Sequence, residues 1–138
     1  MKSCFIFMLI FLLNCVQKAA AEHIIIVANV DDKSIKLNRQ QIRNLFMGGA
    51  VPHQLQAIAL SPDNESRLLF NTKVIGLTES RIQSFWAQMR FTGRKKEPKE
   101  ISSESELLEY LKNHQGALGY CRSGIEIPSE LTVLLTIN

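Results

Sequence analysis

The sequence predicts a single domain of the α/β class, a sandwich of sheet and helices, from three observations. Apolar segments typical of strands alternate with segments of helical periodicity. The helical segments start at Asn, Ser or Thr and end at glycines, as helix caps do. Residues 22–138, which follow a predicted signal, suffice for one core but not two. The order strand, helix, strand, three helices, strand, strand indicates a sheet covered by helices.

Residues 1–21 have the pattern of a cleavable secretory signal. Lys2 precedes an apolar run, residues 4–13, and three alanines end the segment. The run is shorter than the about 20 residues that a membrane span needs. We therefore expect cleavage before Glu22 and a periplasmic or secreted chain with no membrane span. A lipoprotein signal, with Cys15 as the lipidated residue, is the alternative.

Removing this signal changes the charge balance. The full chain has 16 Lys and Arg against 13 Asp and Glu. Lys2 and Lys18 lie in the signal, so residues 22–138 carry 14 basic and 13 acidic side chains, a net charge of +1. This near-neutral balance gives no electrostatic reason to expect nucleic acid as a partner.

The first elements follow from pattern and capping. Residues 23–30, HIIIVANV, predict a strand buried on both faces, because nearly all are apolar and many are β-branched. Asn38 and Gln41 predict a capping box, and the helix that follows ends at the glycine pair after Met47. Residues 55–60, LQAIAL, predict the second strand.

Two helices are predicted next, followed by a loop. The first ends at Gly76 and has apolar residues, including Leu68, on more than one face, which predicts cover on two sides. The second is capped by Thr78 and has the clearest stripe of apolar residues at i, i+3, i+4 and i+7. That stripe, predicted to face the core, consists of Ile82, Phe85, Trp86 and Met89. Residues 92–102 are polar and predict an exposed loop.

The remaining segment predicts one helix and two strands. Ser103 and Glu106 form a second predicted capping box. The helix that follows is predicted to face inward with Leu107, Tyr110 and Leu111. Residues 117–121 and 131–137 then predict strands.

The segment SPDNESRLLF, residues 61–70, is the best candidate for a ligand site. A helix start presents unpaired N–H groups and the positive end of the helix dipole, which favour an anion. Ser66 and Arg67 add a hydroxyl and a cation there. The structural alternative is that Ser66 caps the helix and Arg67 is a surface cation, paired with Asp63 or Glu65.

No pattern predicts catalysis or metal binding. His23, His53 and His114 are scattered, without HxH or HExxH spacing. Cys121 lies in an apolar strand, which predicts a buried, inert thiol. We therefore expect no enzyme activity, no catalytic residues, no metal and no other cofactor. The basic segment 90–99 is the best candidate for an exposed contact surface, with a solvated charged loop as the alternative.

Four segments occur in an order and spacing similar to one lobe of phosphate-binding proteins, the periplasmic subunits of ABC transporters. They are KLNRQQIRNLFMGG, SPDNESRLLF, FWAQMRFTG and GALGY. The likeness runs over about residues 24–122, and it is greatest with the short, stand-alone members often labelled phosphate ABC transporter substrate-binding protein. It implies one lobe of a type II periplasmic-binding-protein-like fold, a mixed sheet flanked by helices, as a single domain over residues 22–138.

The resemblance also implies a binding loop. The family grips phosphate with an arginine and then a serine, a glycine and a threonine; Ser61 stands at the arginine position. The other three positions hold Glu65, Ser66 and Arg67. We therefore expect Ser61, Asn64, Ser66 and Arg67 to contact an anion, with the Glu65 carboxylate opposing it. The implied function is weak binding of phosphate or another small anion for transport. The alternative is a module that kept the fold without a ligand and assembles with a periplasmic or membrane protein complex.

Overall fold

A computed structural model describes residues 22–138, so the predicted signal segment lies outside the described residues. Within this range the chain forms five strands and four helices. The strands are β1 (Ile24–Ala28), β2 (Gln56–Leu60), β3 (Lys99–Ile101), β4 (Ala117–Arg122) and β5 (Thr132–Ile137). The helices are α1 (Arg39–Phe46), α2 (Glu65–Phe70), which continues as a π-helical segment (Asn71–Ile75), α3 (Glu79–Thr92) and α4 (Glu104–Lys112).

The strands form one mixed sheet in the order β3-β2-β4-β1-β5. β2 runs parallel to β3 and β4, whereas β1 runs antiparallel to β4 and β5. Ile26 of β1 lies opposite Tyr120 on one side and Leu135 on the other. The predicted α/β class, with a mixed sheet flanked by helices, is confirmed.

The central strands carry the core, which explains their apolar sequences. Almost every residue of β1, β2 and β4 is buried. Phe46 of α1 and Phe70 of α2 pack with Tyr120 of β4. The Phe70 and Tyr120 rings stack with centroids 3.9 Å apart, and the Phe46 ring centroid lies 4.7 Å from that of Phe70. Two-sided burial of the first strand was predicted, although that strand is shorter than residues 23–30.

Local signals correctly located most helix boundaries. The Asn38 side chain accepts a hydrogen bond from the Gln41 N–H at 2.8 Å, and the Gln41 side chain accepts one from the Asn38 N–H at 2.9 Å. Thr78 caps α3, and Ile82 and Trp86 of its stripe are buried. The predicted capping box of α1 and the core-facing stripe of α3 are therefore confirmed.

The predicted loop over residues 92–102 is wrong in part. Lys99–Ile101 form β3, which pairs parallel with β2, placing Lys99 opposite Ile58 and Ile101 opposite Leu60. An edge strand needs one neighbour only, so charged residues are compatible with it. The charges that indicated a loop are those of a solvent-exposed edge.

The predicted two-sided cover of the helix around Leu68 is also wrong, because Leu68 is 66% exposed. A regular α-helix would place Leu68 and Ile75 on nearly the same face, seven residues apart. The π-helical segment winds more loosely and breaks that relation. Val74 and Ile75 therefore turn into the core while Leu68 faces solvent.

Only one of the two hydrogen bonds of the second predicted capping box forms. The Ser103 hydroxyl accepts the Glu106 N–H at 3.3 Å, as predicted. The Glu106 carboxylate, however, accepts the Ser102 hydroxyl at 2.8 Å instead of the Ser103 backbone N–H. A neighbouring hydroxyl thus takes the place of the reciprocal bond.

Candidate functional site

The loop at the carboxyl end of β2 is fastened to the neighbouring strand. The Ser61 N–H donates to the Ile101 carbonyl at 2.9 Å, and the Asn64 N–H donates to the Ser61 carbonyl at 3.0 Å. The Ser61 hydroxyl donates to the Asp63 carboxylate at 2.7 Å. Ser61 therefore uses both its N–H and its hydroxyl within the protein.

The start of α2 is capped by Asn64. Its side-chain oxygen accepts the Ser66 N–H at 2.9 Å, and its side-chain amide donates to the Ser102 carbonyl at 3.3 Å. The capping role considered for Ser66 thus belongs to Asn64. Because α2 has only six residues before the π-helical segment, its dipole is short.

Ser66 is fully buried and faces the interior. Its hydroxyl donates to Glu104 Oε1 at 2.5 Å, and the other Glu104 oxygen accepts the Arg122 backbone N–H at 2.8 Å. Glu104, at the start of α4, is itself only 9% exposed. These bonds join α2, α4 and the end of β4.

Arg67 is buried as well, at 6% exposure. Its guanidinium forms a two-bond ion pair with Glu79 at the start of α3, with Nη2 donating to Oε2 at 2.7 Å. Nη1 donates to the Leu60 carbonyl at 2.8 Å and to Glu100 at 3.3 Å. The alternative of a surface cation paired with Asp63 or Glu65 is therefore wrong, because the side chain turns inward beneath the loop.

The pair between Arg67 and Glu79 changes both pKa values. Burial alone would lower the pKa of Arg67, but the hydrogen bond and charge of Glu79 outweigh it, so the pKa is raised. Burial likewise opposes ionisation of Glu79, yet hydrogen bonds from Arg67 and Gln83, with the charge of Arg67, lower its pKa. Both side chains are therefore held in their charged forms.

This pair predicts a loss of stability in acid. The pKa of Glu79 is lower in the folded protein than its ordinary value of 4.5, so the unfolded chain binds the proton first as the pH falls. The stabilisation is complete above about pH 4.5 and is lost as the pH falls through the folded pKa. We expect the urea midpoint to fall less between about pH 5 and about pH 3 in Glu79→Gln than in the unsubstituted protein, because the amide does not titrate. Glu126→Gln, an exposed control, should keep the full drop; equal drops in all three proteins would contradict this prediction.

Arg122, at the end of β4, lies among three carboxylates on the same side of the fold. Its guanidinium is 3.2 Å from Glu65, 3.5 Å from Glu104 and 3.7 Å from Glu22. One arginine cannot neutralise three carboxylates, and Arg67 is already paired with Glu79. The surface beside the loop therefore carries an excess of negative charge, which opposes an anion.

A small cavity of about 30 Å³ lies behind the loop, between the sheet and α1 and α3. Its lining includes the polar side chains of Arg67, Asn71 and Glu100 and the ring of Tyr120. Ligand pockets have volumes of ~300 to 1,000 Å³, so this cavity has room for about one water molecule. The Tyr120 hydroxyl accepts the Leu60 N–H at 3.0 Å, and burial raises the pKa of Tyr120.

Comparison with known proteins gives a fold but no close relative. Neither a protein-family model nor a curated protein matches the chain. Among solved structures, an ABC-type phosphate transport receptor from Vibrio cholerae matches 82% of this chain with a TM-score of 0.59 and 14% identity. PstS from Borrelia burgdorferi matches 75% of it with a TM-score of 0.55 and 13% identity. The chain has the fold of one lobe of a phosphate transport receptor.

The structural matches confirm the fold that the four sequence segments implied. The match covers 45% of the Vibrio receptor and 41% of the Borrelia protein, so the chain spans less than half the length of either. At such identities the likeness establishes the fold alone. The proteins that share it here are transport receptors.

Three further features belong to the described range. No helix within residues 22–138 is both long and apolar enough to cross a membrane. The same residues contain no group of three or more His, Cys, Asp or Glu side chains able to hold a metal ion. Cys121 is fully buried, as predicted, and burial raises its pKa to about 11.

The residues that sequence reasoning missed are the internal partners of Ser66 and Arg67. Glu79 and Glu104 each occupy the first turn of a helix, where acidic residues are common anyway. Glu100 was assigned to a loop. Their pairings join positions 12 to 38 residues apart, a separation at which no local pattern operates. No signal in the sequence indicates these pairings.

Proposed function

We propose that this protein is a periplasmic or secreted interaction module that uses the receptor-lobe fold without holding an anion in the loop at residues 61–64. The observation that carries the proposal is the internal use of Ser66 and Arg67. Both are buried, and their polar groups bond to Glu104, Glu79, Glu100 and the Leu60 carbonyl. A side chain committed in this way would have to break a charged hydrogen bond before it contacted a ligand.

One further observation supports the same proposal. The three carboxylates around Arg122 oppose an anion beside the loop.

Weak anion binding for transport is the second candidate function. It is favoured by the position of the loop, because ligands of open α/β sheets bind beyond the carboxyl ends of the strands. Ser61 and Asn64 lie at the carboxyl end of β2 and at the start of α2. Under this proposal they would hold phosphate together with Ser66 and Arg67, after a rearrangement of the buried bonds.

Calorimetric titration with phosphate and with sulfate distinguishes the two functions. We expect no binding heat at ligand concentrations up to ~1 mM, an affinity limit of about −4 kcal/mol. The purified protein should be confirmed as folded by circular dichroism, and its N-terminal sequence should begin at Glu22 if the signal is cleaved as predicted. Heat that disappears in Asn64→Ala but persists in Asn113→Ala, an exposed control just after α4, would favour the transport function instead.

A further inference from the structure

The strongest concentration of positive charge lies where α3 ends and the chain turns toward β3. Residues 90–99 contain five of the 14 basic side chains of residues 22–138 and one acidic side chain, Glu97. This segment thus has a net charge of +4, while the rest of the described chain has a net charge of −3. We call Arg90, Phe91, Arg94, Lys95 and Lys96 the basic corner.

Phe91 is the apolar member of the basic corner, and its side chain does not pack into the core. It is 93% exposed, more than Leu68 or Val133, the other exposed large hydrophobic residues of the described range. Along α3 it lies nine residues after the buried Ile82, which places it about 180° away around the helix. The helix therefore presents an aromatic ring to solvent on the face opposite its core stripe.

The basic corner borders an open depression of about 670 Å³. Arg90 and Gly93, on either side of Phe91 in the sequence, contribute to its lining, as do residues 94–97. Gly93 makes this turn with a φ of 66°, a left-handed conformation that ends the helix. Phe91 thus stands, in sequence, between two residues that line this positively charged depression.

Internal bonds hold part of this surface in place and leave part of it free. Arg90 pairs with Glu97 at 2.6 Å, and the Lys95 ammonium donates to the Gly48 carbonyl. Arg94 and Lys96 form no ion pair with any residue in 22–138, and both are exposed. Two cations are therefore available to carboxylates of a partner.

We infer that the basic corner is the docking site of the interaction module, and that its partner is an acidic protein segment with an apolar side chain among its carboxylates. This inference rests on the function proposed above. Carboxylates would pair with Arg94 and Lys96 in the depression while the apolar side chain covers the Phe91 ring. Buried aromatic and arginine side chains contribute most to such interfaces.

A lipid surface fits these features less well than an acidic protein segment does. Anionic lipids present a flat surface of phosphates, whereas the cations here line a concavity. Glu97 stands among those cations and would face the same phosphates. A peptide can place its carboxylates around Glu97, which a uniform anionic surface cannot.

Site-specific photo-crosslinking in the native cells tests this docking site. The full chain is produced with p-benzoyl-phenylalanine in place of Phe91, and in a matched control in place of Leu68, an exposed apolar residue on another helix. We expect the probe at 91 to capture one protein, with the adduct mapped by mass spectrometry to an Asp- and Glu-rich segment. We expect the Arg94→Glu/Lys96→Glu variant to lower this yield about tenfold or more, a difference of about 1.4 kcal/mol. Its circular dichroism melting curve should be unchanged, because both side chains are exposed.

Four outcomes would overturn the inference: a lipid adduct, an adduct with a second copy of the chain, no adduct at 91, or a protein adduct that charge reversal leaves unchanged. If position 68 captures a protein while position 91 captures none, the docking site is wrong and the interaction function still stands. If phosphate binds in the calorimetric titration and neither position captures a protein, the proposed function fails as well. The two failures are therefore distinguishable.

Discussion

Replacing Arg67 with methionine is expected to lower the free energy of unfolding by about 3 kcal/mol. The substitution keeps much of the side-chain volume and removes the charge. The Glu79 carboxylate, with a side chain only 28% exposed, then loses its paired cation, and the Leu60 carbonyl loses a buried donor. Breaking a buried ion pair from one side is costly because the remaining charge stays desolvated. Urea unfolding followed by circular dichroism measures the change.

Two further variants make the Arg67 result interpretable. Arg81→Met removes an exposed arginine from α3 and should change stability by no more than about 0.5 kcal/mol. The Arg67→Met/Glu79→Met double variant should recover part of the loss, because it leaves no unpaired buried charge. If Arg67→Met unfolds at the same urea concentration as Arg81→Met, Arg67 does not stabilise the fold, and its guanidinium could contact an anion at little cost in stability.

Replacing Trp86 with alanine is expected to cost about 3 to 5 kcal/mol. Trp86 is 3% exposed and lines the 30 Å³ cavity, so its removal enlarges an existing void under α3. The matched control is Phe91→Ala five residues later on the same helix, where the ring is 93% exposed; its effect should be about 0.5 kcal/mol or less. Because Trp86 is the single tryptophan of the chain, unfolding must be followed by circular dichroism and not by tryptophan fluorescence. Equal losses from the two variants would mean that α3 does not pack through its predicted stripe.

The elements that could be predicted from sequence are those specified by neighbouring residues. Asn38 and Gln41 are three positions apart and satisfy each other, so the start of α1 is a local event. The stripe on α3 is likewise visible within four turns of one helix. The apolar run of the first strand was sufficient to predict its burial, because a strand buried on both faces needs apolar residues at nearly every position.

The elements that could not be predicted depend on partners distant in sequence. β3 is a strand because β2 lies beside it, and its own charged residues give no such indication. Arg67 carries the same ambiguity, since an arginine at a helix start suits both an anion and a carboxylate. In the folded protein the guanidinium pairs with the carboxylates of Glu79 and Glu100, which tertiary packing brings to it from 12 and 33 residues away. The candidate loop was therefore located from sequence, whereas the hydrogen bonds that Ser66 and Arg67 form inside the protein were not.

The two edges of the sheet differ in a way that bears on handling the protein at high concentration. β3 closes one edge with only three residues, two of them charged, directly after Pro98. β5 closes the other edge with six residues, none of them charged, and Val133 on it is 39% exposed. An uncharged edge strand offers free backbone N–H and C=O groups to any other extended chain. Self-association during storage or crystallisation should therefore begin along β5. Val133→Lys should reduce it, because a charged residue on an edge strand opposes pairing with another chain.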